Sequence, residues 1–175
     1  QLHTVKLQDV PFGKFRDKGV PIDNISNYDS QKEYAITVES QTSLNLYRIL
    51  FVTAQAMMKI VDGGEFDVAK RTVAATKLQD NDEVISVEII REQKQVILQS
   101  AEGYFLRFGL EEVPEKKKSA VGVRGMKLSD KDHVEAVYYT LAAMPDPDIV
   151  YKDKHVELQR IKPQHRDSKG TKLRL

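Results

Sequence analysis

A repeated phrase constrains the fold of this chain more than any single segment does. Residues 49–61 (ILFVTAQAMMKIV) match residues 96–108 (VILQSAEGYFLRF), and each has an apolar strand, a polar turn and a second strand that ends near a basic residue. A second phrase recurs downstream, beginning at Gly19, Thr72, Gly122 and Gly170. A period of about 50 residues predicts a repeat architecture. Units of about four strands are typical of blade-like β-arrays, which include propellers and pinwheels.

Short runs rich in Val, Ile, Tyr and Phe fill most of the chain, and such runs predict strands. The predicted strands are Leu2–Leu7, Tyr34–Val38, Tyr47–Thr53, Met57–Val61, Val84–Ile90, Gln95–Gln99, Tyr104–Phe108 and Val134–Thr140. Turn signals such as Glu102-Gly103 separate them, and no segment keeps an amphipathic helix period over three turns. The sequence therefore predicts an all-β fold, with the proline-containing residues 142–148 as an exposed connector.

Basic side chains flank the start of each copy of the downstream phrase. They are Lys14, Arg16 and Lys18; Lys70 and Arg71; Lys116, Lys117, Lys118 and Arg124; and Arg166, Lys169 and Lys172. The net charge of +1 hides this segregation, because acidic residues cluster elsewhere, as between Asp80 and Glu92. One basic loop is ordinarily only solvated, but a basic loop at the same position of every repeat predicts a shared rim that binds phosphate. Independently solvated charges are the alternative.

Three of the four copies begin with a glycine, at Gly19, Gly122 and Gly170. A residue without Cβ accepts unusual backbone angles and allows close approach of another backbone or of DNA. We therefore predict that these glycines end the basic loops where the chain turns back into a strand. Thr72 departs from the pattern, so the second copy is predicted to turn differently.

Composition and spacing exclude several kinds of chemistry. The chain has no cysteine, which rules out disulfides and cysteine-ligated metals. Its four histidines lack the spacing of metal ligands, and no glycine loop typical of nucleotide binding is present, so neither metal nor ATP is predicted here. No run reaches the roughly 18 apolar residues of a membrane span. Tyr138 and Tyr139 are interpreted as core side chains, with Val134, Ala136 and Tyr138 on one strand face.

The order of these features resembles a known family. Residues 71–78 (RTVAATKL) with 82–84 (DEV), and residues 120–128 (AVGVRGMKL) with 132–134 (DHV), resemble repeats in the C-terminal domain of the A subunits of DNA gyrase and topoisomerase IV. Residues 103–108 (GYFLRF) look like the corresponding hairpin. The resemblance extends over essentially the whole chain and is most similar to Firmicutes-type A subunits. Because the chain begins without Met inside a strand-like run, we expect it to be a piece of a longer protein.

The resemblance implies a β-pinwheel, in which blades exchange strands with their neighbours and duplex DNA bends over a basic outer rim formed by the basic residues named above. Residues 1–175 are expected to form one such DNA-binding domain or part of one, with approximate repeats 1–46, 47–94, 95–144 and 145–175. The implied partners are double-stranded DNA, the ATPase B subunit and the rest of the topoisomerase A subunit. The implied location is the bacterial cytoplasm, at the nucleoid. The parent enzyme uses its catalytic tyrosine, ATP and magnesium elsewhere, so no catalytic residue and no cofactor are expected in this chain.

The resemblance is incomplete at one motif. Gyrase members of the family carry a Gln-Arg-Arg-Gly-Gly-Lys-Gly box that negative supercoiling requires, and this chain has no full copy. Residues 14–19 (KFRDKG) and 165–170 (HRDSKG) keep only the basic character and the final Lys-Gly. This departure favours a decatenating or relaxing enzyme similar to topoisomerase IV over a gyrase. The alternative is a box in blades of the parent protein outside this piece.

Two other classes of function remain open at the level of sequence. A propeller for protein–protein interaction would recognise side chains at its channel or top face, with little salt-dependent affinity for DNA. An enzyme on a propeller scaffold would need convergent acids or histidines, which the repeats do not supply. A continuous basic rim distinguishes DNA binding from both alternatives.

Overall fold

The computed structural model describes residues 1–173; Arg174 and Leu175, the end of the fourth downstream phrase, lie outside the described residues. Short antiparallel strands form most of the regular structure. They are β1 Leu2–His3, β2 Arg48–Thr53, β3 Met57–Asp62, β4 Thr72–Val73, β5 Val84–Ile90, β6 Gln93–Ser100, β7 Tyr104–Gly109, β8 Val123–Arg124, β9 Val134–Leu141, β10 Asp148–Tyr151, β11 Lys154–Glu157 and β12 Thr171–Lys172.

Helical structure is limited to short turns. The α-helix α1, Gln41–Leu46, begins at Ser40, whose Oγ accepts a hydrogen bond from the Ser43 amide at 3.1 Å. The 3-10 helices are Leu7–Asp9, Ile22–Asn24, Gly63–Phe66, Leu110–Glu112 and Leu158–Arg160. The last three directly follow the second strand of a hairpin, so this turn belongs to the repeat. No helix in residues 1–173 is long and apolar enough to cross a membrane.

Two four-stranded sheets share one topology. The first blade has the strand order β5-β2-β3-β8, and the second blade has the order β9-β6-β7-β12. In each blade a hairpin pairs on one side with a strand that follows it, and on the other with a two-residue strand from beyond the next hairpin. The all-β prediction is confirmed. The position of β8 and β12 is the strand exchange of a β-pinwheel.

Apolar side chains pack the blades face to face. Leu50 and Met58 of the first blade and Leu98 of the second belong to one buried cluster between the blades. The far face of the first blade buries Phe51, and the far face of the second buries Phe105 against the β10–β11 hairpin. Because both faces of these sheets are covered, consecutive rather than alternate residues are buried, which explains the continuous apolar run of β2.

One strand predicted near the N-terminus is wrong, and another is shorter than predicted. Tyr34–Val38 forms no strand, and its contact with the neighbouring β5 is a hydrogen bond from the Tyr34 hydroxyl to the Val84 carbonyl at 3.2 Å. Aromatic and β-branched side chains favour an extended chain, but a strand also needs a partner in register, which this segment lacks within residues 1–173. The segment predicted at Leu2–Leu7 is a strand only over β1, and a 3-10 helix begins at Leu7.

The sequence did not predict the β10–β11 hairpin. Its turn residues Lys152 and Asp153 both have positive φ, 49° and 60°, which is the geometry of a type I′ turn. Such turns are normally recognised by Asn-Gly or Asp-Gly, and Lys-Asp carries no such signal. The predicted connector is therefore slightly shorter than expected, because β10 begins at Asp148.

The predicted common face of Val134, Ala136 and Tyr138 is wrong, because a β-bulge interrupts β9. Val134 pairs with Ser100 and Ala136 with Gln99, so two steps along β9 match one step along β6. Val134 consequently packs between the blades, whereas Tyr138 packs on the opposite face, towards the β10–β11 hairpin. The interpretation of Tyr138 as a packing residue agrees with this position.

Acidic turns close one end of each blade. The Asp82 carboxylate accepts a hydrogen bond from the amide of Gln55, in the β2–β3 turn, at 2.9 Å. The Asp132 carboxylate accepts from the amide of Glu102, in the β6–β7 turn, at 2.9 Å. The acidic part of the repeated phrase therefore stabilises the hairpin turns, since an Asp side chain that accepts from a backbone amide satisfies a donor of the turn.

Candidate nucleic-acid interface

Two basic loops occupy the same place in successive repeats. Residues 115–121 (loop 115–121) and residues 163–169 (loop 163–169) each lie between a 3-10 helix and an exchanged strand. The Lys116 amide donates to the Ile60 carbonyl at 2.8 Å, and the Gln164 amide donates to the Arg107 carbonyl at 2.8 Å. Each loop is therefore fastened to the hairpin of the preceding unit rather than to its own.

Glu65, on the 3-10 helix Gly63–Phe66 of the preceding unit, holds loop 115–121 in place. The Glu65 carboxylate accepts the Lys118 amide at 3.0 Å and lies 3.3 Å from the Lys117 ammonium, while the Glu65 carbonyl accepts the Lys118 ammonium. The Lys118 amide is the main cause that lowers the pKa of Glu65, and the Lys117 side chain adds to it. Lys117 remains mostly exposed, whereas Lys118 is half-buried.

The same arrangement recurs at loop 163–169. The Glu112 carboxylate accepts the Arg166 amide at 2.9 Å, and the Glu112 carbonyl accepts Arg166 Nε at 2.9 Å. Arg166 also donates to the Arg124 carbonyl. We call Glu65 with Lys118, and Glu112 with Arg166, the two glutamate latches. Lys118 and Arg166, both predicted as DNA-binding residues, thus hold the loops in place, and no local pattern indicated this role because the partners lie far apart in the chain.

Beneath loop 115–121 lies a charged side chain that sequence reasoning missed. Lys59 on β3 is 1% exposed, and its ammonium donates to the carbonyls of Lys117 at 3.1 Å, Lys118 at 2.8 Å and Ala120 at 2.5 Å. Burial lowers the pKa of Lys59 to about 8, partly offset by the Glu65 carboxylate. A lysine inside an apolar strand was the only signal available.

Loop 163–169 packs over an apolar side chain instead. The Cβ position at Gly122 would meet Lys59, and the corresponding position at Gly170 would meet Leu106, so these two side chains are equivalent. Leu106 is fully buried. The two loops share their latch but differ in what supports them.

Arg124 on β8, which follows loop 115–121, forms an ion pair with Asp167 in loop 163–169. Arg124 Nε and Nη2 both donate to the Asp167 carboxylate, the second at 3.1 Å. Arg124 lowers the pKa of Asp167, and the carboxylate raises the pKa of the guanidinium. The Lys127 amide donates to the Ser168 carbonyl at 2.9 Å, which continues the contact along the chain. The structure therefore brings the predicted site residue Arg124 next to loop 163–169.

Lys169 and Lys172 share one aromatic ring. Their ammonium groups lie 4.6 Å and 5.1 Å from the ring centroid of Tyr104 on β7. The ring face attracts cations, so it holds two like charges close together at the surface. Tyr104 is a second residue that sequence reasoning missed.

The remaining predicted residues lie nearer the N-terminus. Lys14, Arg16 and Lys18 are exposed, in a segment closed by a hydrogen bond from the Lys14 amide to Asp17 at 2.7 Å. No hydrogen bond or ion pair within residues 1–173 joins this segment to loop 115–121 or loop 163–169. It also exposes Phe12 and Phe15 completely.

Lys70 and Arg71 form the corresponding segment before β4. Both are exposed, and the Arg71 guanidinium lies 3.8 Å from the Asp9 carboxylate. The Arg71 carbonyl accepts the Thr4 amide at 2.8 Å, so this segment is fastened to the region of β1. The segment with Lys70 and Arg71 thus resembles loops 115–121 and 163–169 in being held by a backbone hydrogen bond to an earlier part of the chain.

All three predicted turn glycines have positive φ: 69° at Gly19, 109° at Gly122 and 82° at Gly170. A Cβ at Gly122 would lie 2.4 Å from the Met58 carbonyl oxygen, and one at Gly170 would lie 2.5 Å from that of Phe105. The close approach at these two glycines is thus to the preceding hairpin. At Gly19 the space is open.

The described part of the chain contains no cluster of side chains suited to bind a metal ion. Within residues 1–173, no group of three or more His, Asp or Glu side chains is placed to hold a metal ion. The carboxylates of Glu65, Glu112 and Asp167, which contact the basic loops, are all engaged with cations or amides. The chemistry that the surface offers is therefore cationic, and it suits an anionic partner.

The exchanged strands and the basic loops beside them define a β-pinwheel domain built from repeated blades. A family model described as the DNA gyrase C-terminal domain, beta-propeller, matches residues 47–91 and 94–140, more than half of the chain. The chain belongs to this family.

Curated relatives agree with the family. The chain is 30% identical over 138 residues to the DNA gyrase A protein of Lawsonia intracellularis, a match that covers 78% of this chain and 17% of that protein. It is 28% identical over 135 residues to the DNA gyrase A protein of Klebsiella oxytoca, covering 77% of this chain and 15% of that protein. The chain thus spans less than a fifth of the length of these relatives.

Solved structures show the same fold. The C-terminal domain of DNA topoisomerase IV matches with a TM-score of 0.65 at 22% identity, over 71% of this chain and 40% of that chain. A DNA gyrase A C-terminal domain matches with a TM-score of 0.60 at 28% identity, over 71% of this chain and 42% of that one.

Proposed function

We propose that this chain is the DNA-binding and DNA-bending part of a type IIA topoisomerase, and that it binds duplex DNA without sequence preference. The observation that carries the proposal is the recurrence of basic loops beside exchanged strands in a member of the gyrase A C-terminal family. Lysine and arginine contacts to phosphate give affinity without reading bases.

The proposed DNA path follows the exposed cations. It uses Lys14, Arg16, Lys18, Lys70, Arg71, Lys116, Lys117, Arg124, Lys169 and Lys172 directly, with Lys118 and Arg166 at their base. Supporting this, Arg124 lies against loop 163–169, and Tyr104 keeps two further cations together. Adjacent phosphates of a bent duplex would meet cations from successive units, so each unit adds to the bend.

We further propose that this chain is one part of a larger topoisomerase. The ATPase B subunit, together with the rest of the topoisomerase A subunit, would supply ATP hydrolysis and DNA cleavage, using magnesium and a tyrosine outside this chain, in the bacterial cytoplasm at the nucleoid. This chain alone is expected neither to cleave DNA nor to hydrolyse ATP. The incomplete box motif supports a relaxing or decatenating parent rather than a supercoiling one.

Fluorescence anisotropy with labelled duplexes tests the proposal directly. Two unrelated duplexes of equal length should bind with similar affinity, and the affinity should fall steeply with salt, by about 0.9 logarithmic units per tenfold rise in salt for each phosphate contact. A protein-interaction propeller would instead show weak, salt-insensitive binding. Strong preference for one short sequence would also contradict the proposal.

A further inference from the structure

The buried Lys59 ammonium determines which backbone groups of loop 115–121 face outward. Three carbonyl groups, those of Lys117, Lys118 and Ala120, converge on the buried Lys59 ammonium. The amide of Ala120 also donates to the Lys117 carbonyl at 2.9 Å, which closes a tight turn. The loop is therefore wrapped around a cation, with its negative dipole ends turned inwards.

Three peptide groups of this turn, those whose carbonyls accept from Lys59, consequently direct their N–H ends away from it. The Ala120 amide is the exception, because it donates to the Lys117 carbonyl. No peptide bond within residues 1–173 is cis, and in a trans peptide the N–H points opposite to the preceding carbonyl. The Lys118 amide follows this rule and donates to Glu65. The amides of Ser119 and Val121 follow the carbonyls of Lys118 and Ala120, and no acceptor within residues 1–173 takes their hydrogens. Ser119 is exposed and Val121 is half-buried.

We propose that Lys59 is a positioning residue for DNA binding, which shapes loop 115–121 into a cradle for one backbone phosphate of the duplex. In this cradle the amides of Ser119 and Val121 donate to the phosphate, and Lys116 and Lys117 flank it. Outward N–H groups of a turn can form an anion-binding concavity. The Ala120 amide between these two donates to the Lys117 carbonyl and takes no part in the cradle. The inference rests on the proposed function, because the anion is a phosphate of the bound duplex.

The second unit shows that the fold does not need this lysine. Loop 163–169 lies over Leu106, and the glutamate latch there forms without a buried ammonium. Lys59 contributes no latch contact of its own, so a purely architectural role would leave it replaceable by leucine. The substitution Lys59→Leu therefore copies a solution that the chain already uses.

Binding of a labelled duplex across a salt series tests the role of Lys59. Lys59→Leu should fold, should bind more weakly at fixed salt, and should lower the salt slope by about 1, because the contact to one phosphate is lost. Leu106→Met, at the equivalent position, is the matched control and should keep the wild-type slope. In the Lys59→Leu background, changing Lys116 and Lys117 to Ala should cost less affinity than in the wild type, because the two effects are coupled.

The outcomes separate the two proposals. If the wild type shows no salt-dependent duplex binding, the proposed function fails. If the wild type binds but folded Lys59→Leu keeps the same affinity and slope, only the cradle is overturned. Should Lys59→Leu not fold, amide NMR of the wild type decides: the Ser119 and Val121 amide protons should shift strongly on addition of a short duplex, and unshifted amides would overturn the cradle.

Discussion

Loop 115–121 and loop 163–169 are two versions of one structure. Both are fastened to the preceding hairpin by a backbone hydrogen bond, and both have a glutamate latch. They differ below the backbone, where Lys59 supports the first and Leu106 the second. The contacts found in both loops belong to the fold. The contacts of Lys59 are found at loop 115–121 and have no counterpart at Leu106.

The two loops also differ in exposed charge. Loop 115–121 carries three consecutive lysines against one glutamate, and one of these lysines is the latch residue. Loop 163–169 carries Asp167, whose carboxylate binds Arg124 and so removes part of the positive field. We therefore expect the two loops to be equal in stability but unequal in their contribution to DNA affinity.

The largest expected effects concern the glycines that both loops share. Gly122→Ala and Gly170→Ala should each lower the free energy of unfolding by about 3 kcal/mol, because the added methyl would collide with a carbonyl oxygen at a positive φ. Urea denaturation measures this. Gly19→Ala, where the space is open, should cost only about 1 kcal/mol. Equal losses at Gly19 and Gly122 would contradict the close approach described for the loops.

The latches should be the next most sensitive contacts. Glu65→Gln and Glu112→Gln should each cost about 1 to 2 kcal/mol, since each change weakens a charge-assisted bond to a half-buried amide. Glu115→Gln, at an exposed position in loop 115–121, is the control and should stay within about 0.5 kcal/mol. A loss at only one latch would break the equivalence of the two loops.

Acid should remove the advantage of the wild type over Glu65→Gln. The pKa of Glu65 is lowered in the folded state, so its contribution is present above the ordinary value of 4.5 and is lost as pH falls through the folded pKa. Thermal unfolding of both proteins between neutral and acidic pH measures the difference. A constant difference down to the lowest pH at which both fold would show that the carboxylate charge does not stabilise this latch.

Duplex binding should reveal the difference in exposed charge. Changing Lys116, Lys117 and Lys118 together to Ala should lower the salt slope by up to about 3, and Lys116 with Lys117 alone by about 2. Changing Arg166, Lys169 and Lys172 to Ala should lower it by less than the first triple, because the Asp167 carboxylate already offsets part of the positive charge of loop 163–169. Folding is checked by circular dichroism. Unchanged affinity in both folded triples would remove the rim from the DNA path.

The smallest expected effect is the response of Lys59 to alkaline pH. Its pKa is lowered to about 8, so between about pH 8 and the ordinary value of 10.5 the unfolded chain holds more protons, and the stability of the wild type should rise relative to Lys59→Leu. Duplex affinity should fall over the same range, because a neutral amine has one donor fewer for the three carbonyls. The charged group that acts on Lys59 is the Glu65 carboxylate, and the backbone carbonyls of Lys117, Lys118 and Ala120 accept from its ammonium. Parallel changes in stability and affinity would contradict this assignment.

The sequence predicted the architecture because the repeat carries it. Apolar runs at a fixed period indicated the hairpins, and they are found as β2–β3 and β6–β7. Contacts between units could not be read in the same way. Glu65 and Lys118 lie far apart in sequence, and Lys59 appears as one charge in an apolar strand, so their meeting depends on how blades stack. The bulge in β9 likewise depends on its pairing partner, which no local pattern records.

Strand exchange means that one period of sequence is not one unit of folding. β8 completes the first blade but follows the second hairpin in the chain, and β12 completes the second blade from beyond the third hairpin. Excision at a period boundary would leave an open sheet edge with unpaired amides and carbonyls. A duplication or deletion in such a gene would preserve every strand pairing only if it added or removed complete periods of sequence. The array can therefore lengthen or shorten in evolution by whole blades, and the length of the proposed DNA path changes in fixed increments.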